Sequence, residues 1–141
     1  DGRNVRLYVT DIDTSEDAAV RESMAKTLLG FSKLAVILVG FGLGVHTSAW
    51  MIRQTGITDP GFIVWDEFIG QWLALLLLPK TLLLYAIAFA LFRLFDIVKR
   101  GPVGWADRKF SGGFGVMFDD VLAGLLAMGV GHLVYRFGTL Y

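Results

Sequence analysis

From Leu34 to Ile52 the chain carries no charged side chain, and Lys33 and Arg53 close the run at its two ends. At 1.5 Å per residue a helix over this run spans about 28 Å, close to the thickness of a bilayer's hydrocarbon core. The rest of the composition agrees with a membrane destination. Hydrophobic residues make up 55% of the 141 residues and charged residues only 18%, against about 25% charged in soluble domains. The 17 glycines suit packed membrane helices. There is no cysteine, which excludes disulfide scaffolds, thiol catalysis and Cys-based zinc sites. Thirteen bases balance thirteen acids, which excludes a strongly basic nucleic-acid binder.

Further spans follow the first. Phe62 to Val98 would be about 55 Å long as one helix, too long for a single crossing. Pro79-Lys80 interrupts it, since proline breaks a helix and lysine seeks water. The stretch therefore reads as a helical hairpin, Phe62–Leu78 out and Thr81–Val98 back. Residues 99–115 read as a loop containing the run Gly112-Gly113-Phe114-Gly115. A last span covers about Val116–Phe137. The predicted fold is all-α: a polytopic membrane bundle of about four spans over residues 34–141. Gly40 and Gly44 in the first span, and Ala123, Ala127 and Gly131 in the last, form small-residue packing faces. His46, inside the first span, reads as a packing or hydrogen-bonded histidine.

Residues 1–33 form a separate polar segment without an assigned role. Val5–Thr10 suits a short strand. Thr14-Ser15-Glu16-Asp17 suits a capping box, followed by a surface helix with Val20, Met24 and Leu28 on one face. No signal-peptide pattern opens the chain, so none is expected there.

The acids fall into two populations. Six lie in the first 22 residues and Asp59 sits in a polar turn; Asp66, Glu67, Asp96, Asp107, Asp119 and Asp120 border or interrupt the most apolar stretches. An acid at the centre of a bilayer costs roughly 2.5–3.5 kcal/mol on insertion scales, so the second population needs a reason. The hairpin puts Asp66 and Glu67 beside Asp96, and the loop and last span bring Asp107, Asp119 and Asp120 to the same membrane face. Lysine and arginine are slightly more numerous at that face, which favours a cytoplasmic orientation. Carboxylates so gathered require protonation or a cation. Oxygen donors without thiolates point to a hard cation, magnesium first. Arg93, Lys99, Arg100, Arg108 and Lys109 stand near enough in sequence to hold phosphate oxygens, and Gly112, Gly113 and Gly115 leave backbone N–H groups open to an anion. Arg93 and Asp96, three apart, suit an ion pair equally well. Adjacent Asp119 and Asp120 project about 100° apart on a helix, so both need not face inward. Trp65 and Trp105 read as interfacial belt residues.

The blocks Ile63–Trp72 (IVWDEFIGQW) and Phe92–Gly124 (FRLFDIVKRGPVGWADRKFSGGFGVMFDDVLAG) resemble phosphatidylglycerophosphatase A in order and spacing, over roughly residues 34–137. The resemblance implies a magnesium-dependent integral membrane phosphatase of a bacterial inner membrane, active at the cytoplasmic face. Such an enzyme removes the terminal phosphate of phosphatidylglycerophosphate to give phosphatidylglycerol and inorganic phosphate. It implies catalytic roles for Asp66, Glu67, Asp96, Asp119 and Asp120 and metal ligation by these five and Asp107. The family's D-R pair and glycine run place Arg108, Gly112 and Gly113 at the substrate phosphate, where the neighbouring bases Arg93 and Arg100 are expected to bind as well. A phospholipid and the bilayer are the expected partners, nucleic acid is not, and oligomeric state stays open. Residues 1–33 do not match the glycine- and proline-rich N-terminal segment usual in the family, and Lys99 is followed by Arg100 where the family often has proline. Other readings are a divergent, inactive member, a proton relay or transporter subunit using the acids, and a structural subunit. A CDP-alcohol phosphatidyltransferase would need a D-G-x-x-A-R motif, which the chain does not contain.

Overall fold

The structure, a computed structural model, describes residues 14–58 and 61–138. The strand expected at Val5–Thr10, the turn at Asp59 and the side chains of Thr14, Ser15 and Glu16 in the capping box lie outside the described residues. Within them all regular structure is helical: α1 (Thr14–Thr55), α2 (Trp65–Leu75), α3 (Leu82–Val98), α4 (Pro102–Lys109) and α5 (Gly112–Gly138). The chain divides into two units, residues 1–32 and 33–141. In the first, Val20, Met24 and Leu28 are exposed, and Lys26 and Glu22 pair at 2.7 Å one turn apart.

The second unit is built around α5, which packs against α2, α3 and α4, while α2 also packs against α3. The chain leaves α2 at Leu75 and turns through Pro79, after which the Thr81 side chain accepts a hydrogen bond from the Leu84 N–H and caps α3. The helical hairpin is therefore present, but its arms are shorter than the sequence suggests. α2 has 11 residues, about 16 Å, and α3 has 17, about 26 Å. Among the described residues two helices, α1 and α5, are long and apolar enough to cross a membrane, where about four spans were expected. The expected loop at 99–115 also holds a helix. Gly101 takes a positive φ of 62° and Pro102 occupies the first turn of α4, where its missing N–H costs nothing.

Two apolar clusters hold the unit together. Ala74, Phe92, Val103, Ala123 and Ala127 form one, and Ile37, Ile69, Leu73 and Met117 the other. In lipid, helix association depends on close packing rather than on removing apolar surface from water, and small residues set the approach distances here. A Cβ on Gly124 would strike the Gly70 carbonyl oxygen, and one on Gly70 would meet the Phe92 ring and the Asp120 carbonyl oxygen. α2 and α5 thus cross backbone to backbone one turn beyond Asp120. Ala123, Ala127 and Gly131 are buried as one face of α5. Gly40 and Gly44 take up Ile69, Trp65 and Met117, so that face serves contacts within the unit.

Gly124 and Gly129 test this crossing. Gly124→Ala should cost about 1–3 kcal/mol by forcing α2 from α5. Gly129 has nothing within 4 Å of a built Cβ, and Gly129→Ala should be neutral or stabilise by about 0.5–1 kcal/mol. Denaturation in micelles with each variant measures both.

Candidate functional site

A cavity of about 320 Å³ opens between the start of α2, the α3–α4 corner and the start of α5. All six acids singled out from the sequence line it: Asp66, Glu67, Asp96, Asp107, Asp119 and Asp120. Local structure explains how. Asp66 and Glu67 occupy the first turn of α2, where carboxylates face the positive end of the helix dipole. Asp96 lies in the last turn of α3 and Asp107 on α4. Asp119 and Asp120 lie two turns into α5, and both are buried, at 5% and 4% exposed. Their 100° separation is absorbed because Asp119 turns towards Lys99 while the Asp120 backbone is wedged against Gly70.

Two cations compensate four of these charges. Arg93 Nη1 lies 2.8 Å from Glu67 Oε1 and 3.1 Å from Asp96 Oδ2, tying α2 to α3. Lys99 Nζ lies 2.8 Å from Asp107 Oδ1 and 2.7 Å from Asp119 Oδ2, tying the corner to α4 and α5. Lys99 caps α3 in the left-handed conformation, φ 43°, unusual for a residue with a side chain. Burial would lower its ammonium's pKa, but the hydrogen bonds to Asp107 and Asp119 outweigh it and raise it above the ordinary lysine value. Lys99 therefore remains a cation.

Neither Asp66 nor Asp120 forms a salt bridge among the described residues, although Arg93 and Asp96 stand near enough to Asp120 to act on it. Asp66 Oδ1 accepts the Glu67 N–H at 3.0 Å. Asp120 Oδ2 is buried with no hydrogen-bond partner, a state that costs about 1–3 kcal/mol or more for a charged group. This pair suits a magnesium ion, which takes one or two carboxylates and fills its remaining positions with water and phosphate. No three acids among the described residues already stand at ligand spacing, in keeping with four of the six being committed to Arg93 and Lys99.

The basic and glycine residues divide differently from the sequence expectation. Arg93 is held by carboxylates and does not line the cavity; Arg100 and Arg108 are exposed and also outside its lining. Lys99 is the basic residue among the described residues that lines it. Gly112 and Gly115 line it, whereas Gly113 packs on α1, where a Cβ would strike the Val45 carbonyl oxygen and the Ala49 backbone. Close helix contact accounts for Gly113, so the glycine run is part of α5 rather than a free loop. Trp65 is more than a belt residue: its indole Nε1–H donates to the Gly40 carbonyl oxygen at 2.9 Å, joining α2 to α1. Trp105 is exposed, with Lys109 Nζ 4.9 Å above its ring. His46 is exposed on α1, with no part in the cavity's lining. Sequence reasoning gave Lys99 no rank above its basic neighbours. The signal available was Gly101-Pro102, which marks a sharp corner and a new helix start.

The sequence profile of the family described as phosphatidylglycerophosphatase A matches residues 8–135, reaching well ahead of the block at 34–137. The phosphatidylglycerophosphatase A of Escherichia coli K12 is 38% identical over 100 residues, covering 70% of this chain and 58% of the relative. That of Haemophilus influenzae is 39% identical over 116 residues, covering 75% of this chain and 71% of the relative. A Bacteroides thetaiotaomicron protein with the provisional name phosphatidylinositol-3-phosphatase is 51% identical over 106 residues, covering 70% and 65%. The chain spans just under three fifths of the length of the E. coli relative, 58%. No solved structure matches the chain.

Lys99 and Asp119 should be energetically coupled. Lys99→Met leaves a buried carboxylate unpaired and should cost about 2 kcal/mol or more. Asp119→Asn in that background should restore part of the loss, giving a coupling energy of about 1–3 kcal/mol in a double-mutant cycle. Unfolding in micelles of the two single variants and the double variant measures it.

Proposed function

The chain belongs to the phosphatidylglycerophosphatase A family, and from that premise we propose that its acidic cavity hydrolyses a lipid phosphomonoester, phosphatidylglycerophosphate, with magnesium. The observation that carries this reading is the charge balance of the cavity. Six carboxylates meet two protein cations, and the pair left over, Asp66 and Asp120, includes a buried oxygen without a partner. Carboxylates kept uncompensated near an apolar core fit a cation-binding role better than a structural one.

Asp66 and Asp120 are the proposed first ligands, with Asp119, Asp96, Glu67 and Asp107 completing the electrostatic setting. A bound magnesium ion would offset phosphate charge and polarise a phosphoryl oxygen. The chain's own residues do the rest. Lys99 exchanges Asp107, which is 42% exposed, for a phosphoryl oxygen, and keeps buried Asp119. Arg93 holds Glu67 and Asp96 in place on the cavity wall and offsets their charge. A water oxygen attacks phosphorus as the bond to the glycerol oxygen breaks. The water's proton passes to a cavity carboxylate, and the leaving oxygen gains a proton. The products are the alcohol lipid and inorganic phosphate. Arg100 and Arg108, exposed at the same corner, would add positive potential without direct contact.

Two long apolar helices and a substrate with acyl chains together support a membrane location. We assign it to a bacterial inner membrane, with the cavity at the cytoplasmic face. The provisional name of the Bacteroides relative makes phosphatidylinositol 3-phosphate the alternative substrate to compare.

The purified chain should release inorganic phosphate from phosphatidylglycerophosphate in micelles, and a chelator should abolish release. Asp66→Asn and Asp120→Asn should each lower kcat/KM by about 10²-fold or more, and Lys99→Ala by about 10²-fold. Release that persists in chelator, or in both aspartate variants, would overturn the magnesium reading. Faster release from phosphatidylinositol 3-phosphate would reassign the substrate.

A further inference from the structure

An apolar groove of about 350 Å³ lies on the α1–α2 surface. Val36, Val39, Gly40 and Leu43 form one wall, and Trp65 and Trp72 the other. The two helices run antiparallel here: Gly44 and Gly40 meet Trp65, Gly40 also meets Ile69, and Ile37 packs with Ile69 and Leu73. Trp65 and Trp72 are seven residues apart, two helical turns or about 10 Å, and their rings meet edge to face at 6.4 Å. The upper wall is fixed, because Trp65 Nε1–H is bonded to the Gly40 carbonyl oxygen. The groove begins at Trp65, and the next residue, Asp66, lines the acidic cavity. Consecutive residues at the start of α2 therefore line the polar cavity and the apolar groove, which runs from Trp65 towards Trp72 along α1.

We infer that this groove binds an acyl chain of the same lipid whose phosphate enters the cavity, so that Trp65 marks the junction between headgroup and tail. The inference rests on the function proposed above, and deepens it by giving the substrate's tail a defined seat. A general bilayer lipid would have no reason to prefer this groove over the open apolar surface at Leu82, Leu83 and Ile97, which are 89%, 71% and 70% exposed. A tail tethered to a phosphate in the cavity would, because its attachment fixes where it starts and raises its effective concentration at the groove.

The test uses the full chain in micelles with two photoreactive lipids that carry the same diazirine-bearing acyl chain. One is phosphatidylglycerophosphate and the other phosphatidylcholine. Each sample is flash-illuminated before turnover, and adducts are mapped by peptide mass. The phosphate lipid should label residues 35–43 and 65–72 roughly tenfold more than the choline lipid does, a difference equivalent to about 1.4 kcal/mol. The two lipids should label Leu82, Leu83 and Ile97 equally. Equal labelling of the groove by both lipids, or no groove label from the phosphate lipid, would overturn the inference. Val39 is 63% exposed, so Val39→Trp fills the groove without disturbing the core. It should cut groove labelling about fivefold and raise KM more than it lowers kcat, whereas Leu82→Trp should do neither. Headgroup-dependent labelling without phosphate release would keep the groove and discard hydrolysis. Release with an unlabelled groove would discard the groove alone.

Discussion

A carboxylate as deeply buried as Asp119, 5% exposed, must be neutralised or matched with a cation, since desolvation disfavours its charged form. Lys99 provides the match at 2.7 Å, and the same ammonium reaches Asp107 at 2.8 Å. To do so it ends α3 in a left-handed turn and sends the chain through Gly101 into α4. This contact places a cation in the cavity and ties the α3–α4 corner to α5, beside the packing of Val103 and Phe110 against α5. A second bridge, Arg93 to Glu67 and Asp96, does the same for α2 and α3. Between them the two bridges set how much negative charge remains for a ligand.

Packing supports that electrostatic arrangement. Asp120 can stand beside α2 because Gly70 and Gly124 have no side chains where the helices cross. A larger residue at either position would separate α2 from α5 and pull Asp66 from Asp120. Gly113 does the corresponding work between α5 and α1. In these helices small residues determine where the polar ones end up, because in an apolar medium close contact is the main source of association. Function and packing are therefore not carried by separate residues in separate regions. The glycine crossing lies one turn from the buried acid pair, and the indole that joins α2 to α1 adjoins Asp66.

Much of this was legible before any coordinates. The uncharged run at 34–52, the break at Pro79, and the acids at the ends of apolar stretches each follow from the cost of placing polar groups in lipid, and they led to one acidic cavity. The small-residue faces were legible for the same kind of reason. The errors came from reading apolar length as helix length. Leu76, Leu77 and Leu78 extend the hydrophobic run beyond the end of α2, so the helix is shorter than its apolar sequence. Polar, glycine-rich residues 99–115 were read as loop, because an eight-residue helix gives little periodicity and depends on tertiary contacts to form.

The sequence by itself determined the helical class, the membrane-compatible composition, the family and the set of acids that share a face. These are properties of residue type and spacing along one chain. Only the tertiary structure decided which charges cancel. Arg93, Lys99, Arg100, Arg108 and Lys109 are near-equivalent as letters, yet one bridges α2 to α3, one enters the cavity and the others stay outside it. That choice depends on distances of about 3 Å between different helices, and a linear sequence fixes such distances only through the packing of the whole unit.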